Sequence, residues 1–215
     1  ALVTAVELDK RLPDVLKETL AGYEGLSVLQ GDVLKLDIGK LMSGQNFKVV
    51  ANLPYYITTP ILMALLEAHL PLTSITVMVQ KEVAERLTAK PGSRIYGSLS
   101  VAAQYYTEVS IALTVPAKCF LPPPKVESAV VFCKRREEPS VKVKDEATFF
   151  RVVRGAFGQR RKTLLNALKG AGFEEVSLKS AFVAAGIDPK RRGETLSLEE
   201  FGALADAIGD CGEKE

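Results

Sequence analysis

The 215-residue chain contains no tryptophan, one histidine (His69), three cysteines and three methionines. A lone histidine, with Cys119, Cys133 and Cys211 scattered rather than paired, gives no zinc-ligand spacing. An odd count of unpaired cysteines also argues against a disulfide framework and is simplest as reduced thiols in the cytoplasm. Apolar runs long enough to cross a bilayer are missing, and so is any signal-peptide pattern. Net charge is nearly missing too, at +2, but that figure hides an uneven spread. Residues 1–133 carry 12 basic and 12 acidic side chains, residues 134–169 carry 11 and 4, and residues 170–215 carry 5 and 10. A net +7 over the middle segment points to a polyanion partner.

What is present is an ordinary globular composition, 47% hydrophobic and 25% charged, in a length that suits one α/β domain and a small second one. The most informative stretch is Asn52-Leu53-Pro54-Tyr55, which follows the apolar run Phe47 to Ala51. Pro54 has no N–H, fixes its own φ and pushes Leu53 toward extended backbone, so a strand ends here in a loop. Ligands bind at the carboxyl ends of strands in open α/β sheets. Such a loop suits methylation of an exocyclic amine. Adenine N6 is a weak nucleophile because its lone pair is delocalised. Acceptors around its hydrogens, the Asn52 side-chain oxygen and the carbonyl of Leu53 or Pro54, would draw it toward a tetrahedral geometry, with Tyr55 stacked on the base. Read alone, four residues are better taken as a strand-terminating turn, a reading that weakens once the flanks are read.

Around this stretch strands and helices alternate, as in a doubly wound parallel sheet. Strands are expected at Ala1–Val6, Leu26–Gln30, Lys48–Ala51 and Ser74–Gln80. Helices are expected at Lys10–Tyr23, Thr59–His69, Lys81–Ala89 and Leu99–Tyr106, with further strands at Val109–Val115 and Ala129–Cys133. Glu7, Asp32 and Asn52 then fall at three strand ends facing one crevice. Glu7 suits ribose hydroxyls, and Asp32 with the Val33 N–H suits an adenine ring. Each carboxylate alone is also readable as a helix-dipole partner. Phe120, ahead of the stiff Pro122-Pro123-Pro124 segment, is a stacking platform for an unstacked base or else a buried loop anchor. Lys125 is a phosphate contact or a solvated lysine.

Residues 1–136 form the expected catalytic domain, 137–145 a charged linker and 146–215 a helical domain. In the last, Gln159–Leu168 reads as a helix opening on Arg160, Arg161 and Lys162, three cations that oppose its dipole and call for an external anion such as an RNA backbone. Arg151 and Arg154, one turn apart, extend that patch. A solvated face is the plain alternative. Ser197 and Glu200 match a capping box.

Several ordered segments together resemble the small-subunit rRNA adenine N6,N6-dimethyltransferases of the kasugamycin-resistance type. They are Val-Glu-Leu-Asp at 6–9, Gly-Asp-Val at 31–33, Asn-Leu-Pro-Tyr-Tyr-Ile-Thr-Thr-Pro-Ile at 52–61 and Gln-Lys-Glu-Val-Ala-Glu-Arg-Leu at 80–87. Tyr-Gly-Ser-Leu-Ser at 96–100, Phe-Leu-Pro-Pro-Pro-Lys-Val-Glu-Ser-Ala-Val at 120–130 and Phe-Gly-Gln-Arg-Arg-Lys-Thr-Leu at 157–164 complete the series. The resemblance implies a Rossmann-like, S-adenosylmethionine-dependent methyltransferase with a small helical C-terminal domain. It implies dimethylation of two adjacent adenines in a small-subunit rRNA hairpin, within a pre-ribosomal particle. Glu7 and Leu8, Asp32 and Val33, and Asn52 would meet the cofactor, and Tyr55 and Phe120 would sandwich the base. Arg151, Arg154, Arg160, Arg161, Lys162 and Lys125 would meet RNA.

The family also opens with a basic segment, a strand and a glycine-rich turn that this sequence does not contain. That strand lies between those ending at Glu7 and Asn52. The expectation is therefore an incomplete sheet, weakened cofactor binding, and self-association through the exposed backbone. A macrolide-resistance methyltransferase of the large subunit and a non-catalytic RNA-binding assembly or transcription factor are the alternatives. Leu53, the following Thr-Pro-Ile and the Arg-Arg-Lys run favour the small-subunit type.

Overall fold

The computed structural model describes residues 1–212, so the last three positions of the expected helical domain lie outside the described residues. Strand β1 (Val3–Glu7) pairs in parallel with β2 (Leu26–Gln30), Val3 opposite Leu26 and Glu7 opposite Gln30. Helix α1 (Leu12–Thr19) makes the crossover. Pro13 and Asp14 sit in its first turn, where a missing N–H costs nothing and a negative charge meets the dipole. It is shorter than the expected Lys10–Tyr23. Lys10 and Arg11 are held in a turn by the Asp9 carboxylate, which accepts from the Arg11 backbone and guanidinium.

After β2 a short helix α2 (Ile38–Leu41), absent from the sequence-based expectation, is started by Asp37, whose side chain accepts from the Lys40 N–H. Then come β3 (Phe47–Asn52), α3 (Thr58–Glu67), β4 (Leu72–Gln80), α4 (Lys81–Leu87), α5 (Ser98–Tyr106), β5 (Thr107–Val115) and β6 (Ser128–Arg135). These strands form a sheet of order β3-β4-β6-β5. β3 and β4 are parallel, whereas β6 lies antiparallel between β4 and β5. The parallel, alternating pattern gives way at β6, because no helix carries the chain back after β5. Without a crossover helix the returning strand runs the opposite way.

Among the described residues no ladder joins β1 to β3, so the two sheets are separate and the edges of both strands are unpaired. β3 shows why the edge matters. Phe47, Val49 and Ala51 are half-buried, while Lys48, Val50 and Asn52 point outward, Val50 with 81% of its surface exposed.

One continuous core runs from the sheet into the C-terminal helices. It joins Ile75, Val77 and Val131 of the sheet to Leu62, Leu66 and Leu87 of the helices, and on to Phe149, Leu164, Leu178 and Phe201. The C-terminal part comprises α6 (Glu146–Gly158), α7 (Leu164–Gly170), α8 (Glu175–Ala185) and α9 (Leu198–Gly212). Tyr105 stacks on Phe149 at 4.8 Å and Tyr106 on Phe150 at 5.5 Å, between the end of α5 and the start of α6. The Glu146 carboxylate lies at this seam. It accepts from the Tyr105 and Tyr106 hydroxyls and pairs with His69 at 3.2 Å. Burial, reinforced by Glu146, pushes the Tyr105 phenol up to about 12.

The stretch that includes the expected linker is hydrogen-bonded to the rest of the chain. Arg136 and Ser140 donate to the Tyr106 and Tyr105 carbonyls, and the Lys144 N–H to Asp206. The Ser197–Glu200 capping box is formed in both directions.

Gly155 lets α6 pack tightly against the end of α7: a Cβ there would lie 2.9 Å from that of Ala171 and 3.1 Å from a Leu168 methyl group. Gly155→Val should lower stability by about 2 kcal/mol through overpacking, read as a drop in the urea midpoint at unchanged m-value.

Candidate active site

The candidate site starts with the way β3 ends. The Leu53 N–H makes a last, long link to the Met78 carbonyl at 3.4 Å, and the Leu53 side chain is buried. Pro54 then turns the chain. Its carbonyl accepts from the Ile57 N–H at 3.1 Å and from the Thr58 hydroxyl at 3.0 Å. A carbonyl oxygen has two lone pairs, and both are used. The choice left open between the Leu53 and Pro54 carbonyls thereby narrows to Leu53. Among the described residues nothing donates to the Leu53 carbonyl, and the Asn52 side chain, exposed at the end of β3, has no partner. Two acceptors thus stand unspent at the carboxyl edge of the sheet.

Tyr55 is half-buried, with its hydroxyl 2.7 Å from that of Ser128 at the start of β6. Sequence reasoning missed Ser128. Its one signal was a small polar residue closing the Pro-Pro-Pro-Lys-Val-Glu-Ser run. Tyr56, also passed over, leaves 80% of its ring surface in solvent. Phe120 is half-buried, extended in backbone and outside the hydrophobic core. Leu121 beside it is fully exposed. Lys81 fastens the far end of this loop, its N–H donating to the Glu127 carbonyl and its ammonium pairing with the Glu127 carboxylate at 2.7 Å. Lys125 is exposed.

Glu7 closes β1. One carboxylate oxygen accepts from the Asp9 N–H at 2.8 Å. Leu8 is exposed, and its carbonyl accepts from the Gln30 amide. Asp32 follows β2, caps the turn by accepting from the Leu34 N–H at 3.1 Å, and has the Lys35 ammonium 3.8 Å away. Val33 is half-buried and lines an apolar cavity of about 270 Å³ with Leu36, Ile38, Ile61, Leu65 and Leu70. That cavity sets the loop after β2 against α3, the helix that leaves the Asn52 loop. Among the described residues no hydrogen bond, ion pair or ring contact joins Glu7, Asp32 and Asn52 to one another, or Phe120 to Tyr55. The carboxylates stand on one sheet and the amide on the other.

The cationic run departs from expectation. Arg160, Arg161 and Lys162 lie in the turn before α7, which is capped at Thr163 and begins at Leu164. The first two N–H groups of its opening turn are taken by carbonyls, Leu164 donating to Arg191 and Leu165 to Pro189. The helix terminus therefore does not call for an anion. Arg160 is drawn aside and donates to the Arg94 and Tyr96 carbonyls at 2.6 and 3.1 Å, while Arg161 and Lys162 remain exposed. Arg151 sits 4.2 Å over the Phe173 ring, and Arg154 pairs with Glu67 at 3.7 Å. Both arginines line a groove between α6 and α7 of about 400 Å³.

The α/β sheets with their helical C-terminal region have a Rossmann-like methyltransferase fold, shared with solved rRNA methyltransferases. The model for ribosomal RNA adenine dimethylase matches residues 2–209, and the chain belongs to that family. It is 53% identical over 215 residues to the ribosomal RNA small subunit methyltransferase A of Bacillus mycoides (strain KBAB4), with 96% of this chain and 74% of the relative covered. The counterpart from Bacillus cereus (strain AH187) gives the same figures. A crystal structure of a dimethyladenosine transferase from Plasmodium falciparum superimposes with a TM-score of 0.76 at 25% identity, over 98% of this chain and 83% of that one. The 23S rRNA methyltransferase ErmE superimposes with a TM-score of 0.70, also at 25% identity, over 97% and 82%. Family membership makes S-adenosylmethionine the methyl source and ribosomal RNA the substrate class.

Cys119 is exposed next to Phe120, whereas Cys133 is buried and its thiol is pushed up to about 11 by that burial. A chromogenic disulfide reagent at neutral pH should modify Cys119 well before Cys133, which should react only after denaturation. Peptide mapping of partially modified protein reads the order.

Proposed function

We propose that this protein transfers methyl groups from S-adenosylmethionine to N6 of two adjacent adenines in a small-subunit rRNA hairpin. The carrying observation is the pair of unspent acceptors, the Asn52 side-chain oxygen and the Leu53 carbonyl, on a strand end held still by the Pro54 turn. A primary aromatic amine has two hydrogens to give. Holding both in the first transfer, and the one that remains in the second, while the base lies against Tyr55 and Phe120 turns the nitrogen lone pair out of conjugation and toward the incoming carbon, and each transfer releases one N–H proton to solvent. The 53% identity to small-subunit enzymes favours that subunit over the large one, a choice the two structural neighbours, each at 25% identity, do not make.

The residues present fit the nucleoside part of the cofactor. Glu7 keeps one carboxylate oxygen without a partner, and Asp32 keeps lone pairs beyond its turn bond, both suited to hydroxyl and amino donors. Leu8 and Val33 supply apolar surface beside them. S-adenosylmethionine supplies, when bound, an electrophilic methyl group on a sulfonium. The protein's own part is placement and exclusion of water, with no side chain becoming covalently attached.

In this reading residues 1–136 carry the chemistry, 137–145 connect, and 146–215 dock the RNA. Arg151, Arg154, Arg161, Lys162 and Lys125 meet phosphates, while Arg160 holds the 94–96 loop and reaches RNA only at its margin. The setting is a pre-ribosomal particle in the cytoplasm. The open edges of β1 and β3 are where a second copy would pair.

Methyl transfer from labelled S-adenosylmethionine to unmethylated small subunits, with large subunits as the comparison, tests the proposal. Activity on small subunits is expected, and transfer to large subunits alone would reverse the assignment. Asn52→Ala should lower kcat by roughly 10²–10³, the scale of losing one preorganised donor or acceptor, with RNA affinity unchanged.

A further inference from the structure

The Tyr55–Ser128 contact ties together two loops that the chemistry needs and that lie far apart in sequence. Ser128 is fully buried. It opens β6 and is gripped on both sides, opposite Gln80 of β4 and Val115 of β5. Its backbone neighbour Glu127 is fastened to Lys81. The serine hydroxyl is therefore one of the least movable polar groups near the site. Its recorded side-chain hydrogen bond is to the Tyr55 hydroxyl, at 2.7 Å.

The Tyr55 ring needs such a fixture. Its backbone is set by the Pro54 turn, but the side chain is only half-buried and has no ring partner among the described residues. A phenol oxygen lies on the axis of its ring. Holding that oxygen fixes where the axis points, and the preference of the O–H for the ring plane restrains rotation about the axis. The orientation of the stacking face thus follows from a bond made at the far end of the ring.

We propose that Ser128 is a positioning residue that sets the plane of the Tyr55 ring and couples it to the loop carrying Phe120, so that the target adenine meets a preset slot. The inference rests on the proposed function for its substrate but not for its geometry. The bond acts on orientation, whereas RNA affinity comes mostly from phosphate contacts. Its loss therefore falls on kcat and leaves RNA Kd in place.

Two variants remove the bond from opposite ends: Ser128→Ala and Tyr55→Phe. Each should lower kcat by roughly threefold to tenfold, the rate equivalent of one hydrogen bond, and the double variant should do no more than either single one. Ser128→Thr, which keeps the hydroxyl, should restore most of the rate. Wild-type kcat in Tyr55→Phe, multiplying effects in the double variant, or RNA Kd rising in step with the kcat loss would overturn the role. Tyr55→Phe keeps the test open if Ser128→Ala does not fold.

A second readout does not depend on activity. In NMR spectra of protein with isotope-labelled tyrosine, the Tyr55 signal is assigned by its loss in Tyr55→Phe. It should shift in Ser128→Ala and return in Ser128→Thr, and an unmoved signal refutes the pin. If the pin is present but the wild type methylates neither subunit, the functional proposal fails instead.

Discussion

The structure depends most on how one carbonyl is used. By taking both the Ile57 N–H and the Thr58 hydroxyl, the Pro54 oxygen locks the turn that starts α3. That lock lets the two preceding acceptors stand without partners at the sheet edge. Unpaired polar groups are tolerated only where water or a ligand reaches them, and the exposure of Asn52 meets this condition. The proline makes the arrangement obligatory. With no N–H of its own and a restricted predecessor, the strand cannot run on and cover these groups with ladder partners.

Much of this was legible in the sequence because proline acts locally. The end of β3, the strand edges at Glu7 and Asp32, and the alternation of strands and helices all follow from short-range rules. What failed had long-range causes. α7 starts later than periodicity suggests because Arg160 is pulled toward two carbonyls some sixty residues back in the chain, between Arg94 and Tyr96. The first turn of α7 is meanwhile capped by the loop before Arg192. The charged run after β6 gives no sign in the sequence of its contacts, which are made to the Tyr105 and Tyr106 carbonyls and to Asp206. Ser128 was invisible for the same reason, since its significance lies in a residue 73 positions away. The separation of β1 and β2 from the larger sheet, by contrast, agrees with the incomplete sheet that the family resemblance led us to expect between Glu7 and Asn52.

The site also shows a division of labour between sheets. The carboxylates that suit a nucleoside lie at the ends of β1 and β2, while the amide and the aromatic loops belong to the β3-β4-β6-β5 sheet. The apolar cavity shared by Val33, Ile61 and Leu65 is where the two parts meet. The loop that carries Asp32 and the loop that carries Asn52 are therefore linked through α3, whose first turn is the one Pro54 sets.

The stacked rings at the junction of α5 and α6 have a mechanical consequence. Tyr105 on Phe149 and Tyr106 on Phe150, with Glu146 beneath both phenols, form an interlocked hinge plate that resists swivelling. The span from the α6–α7 groove to the Asn52 edge then behaves as a caliper of fixed opening. Under the proposed function, a folded strand of RNA gripped at one jaw would offer the other jaw only the nucleotides lying at that distance, and selection of the base would be a matter of length as well as of shape.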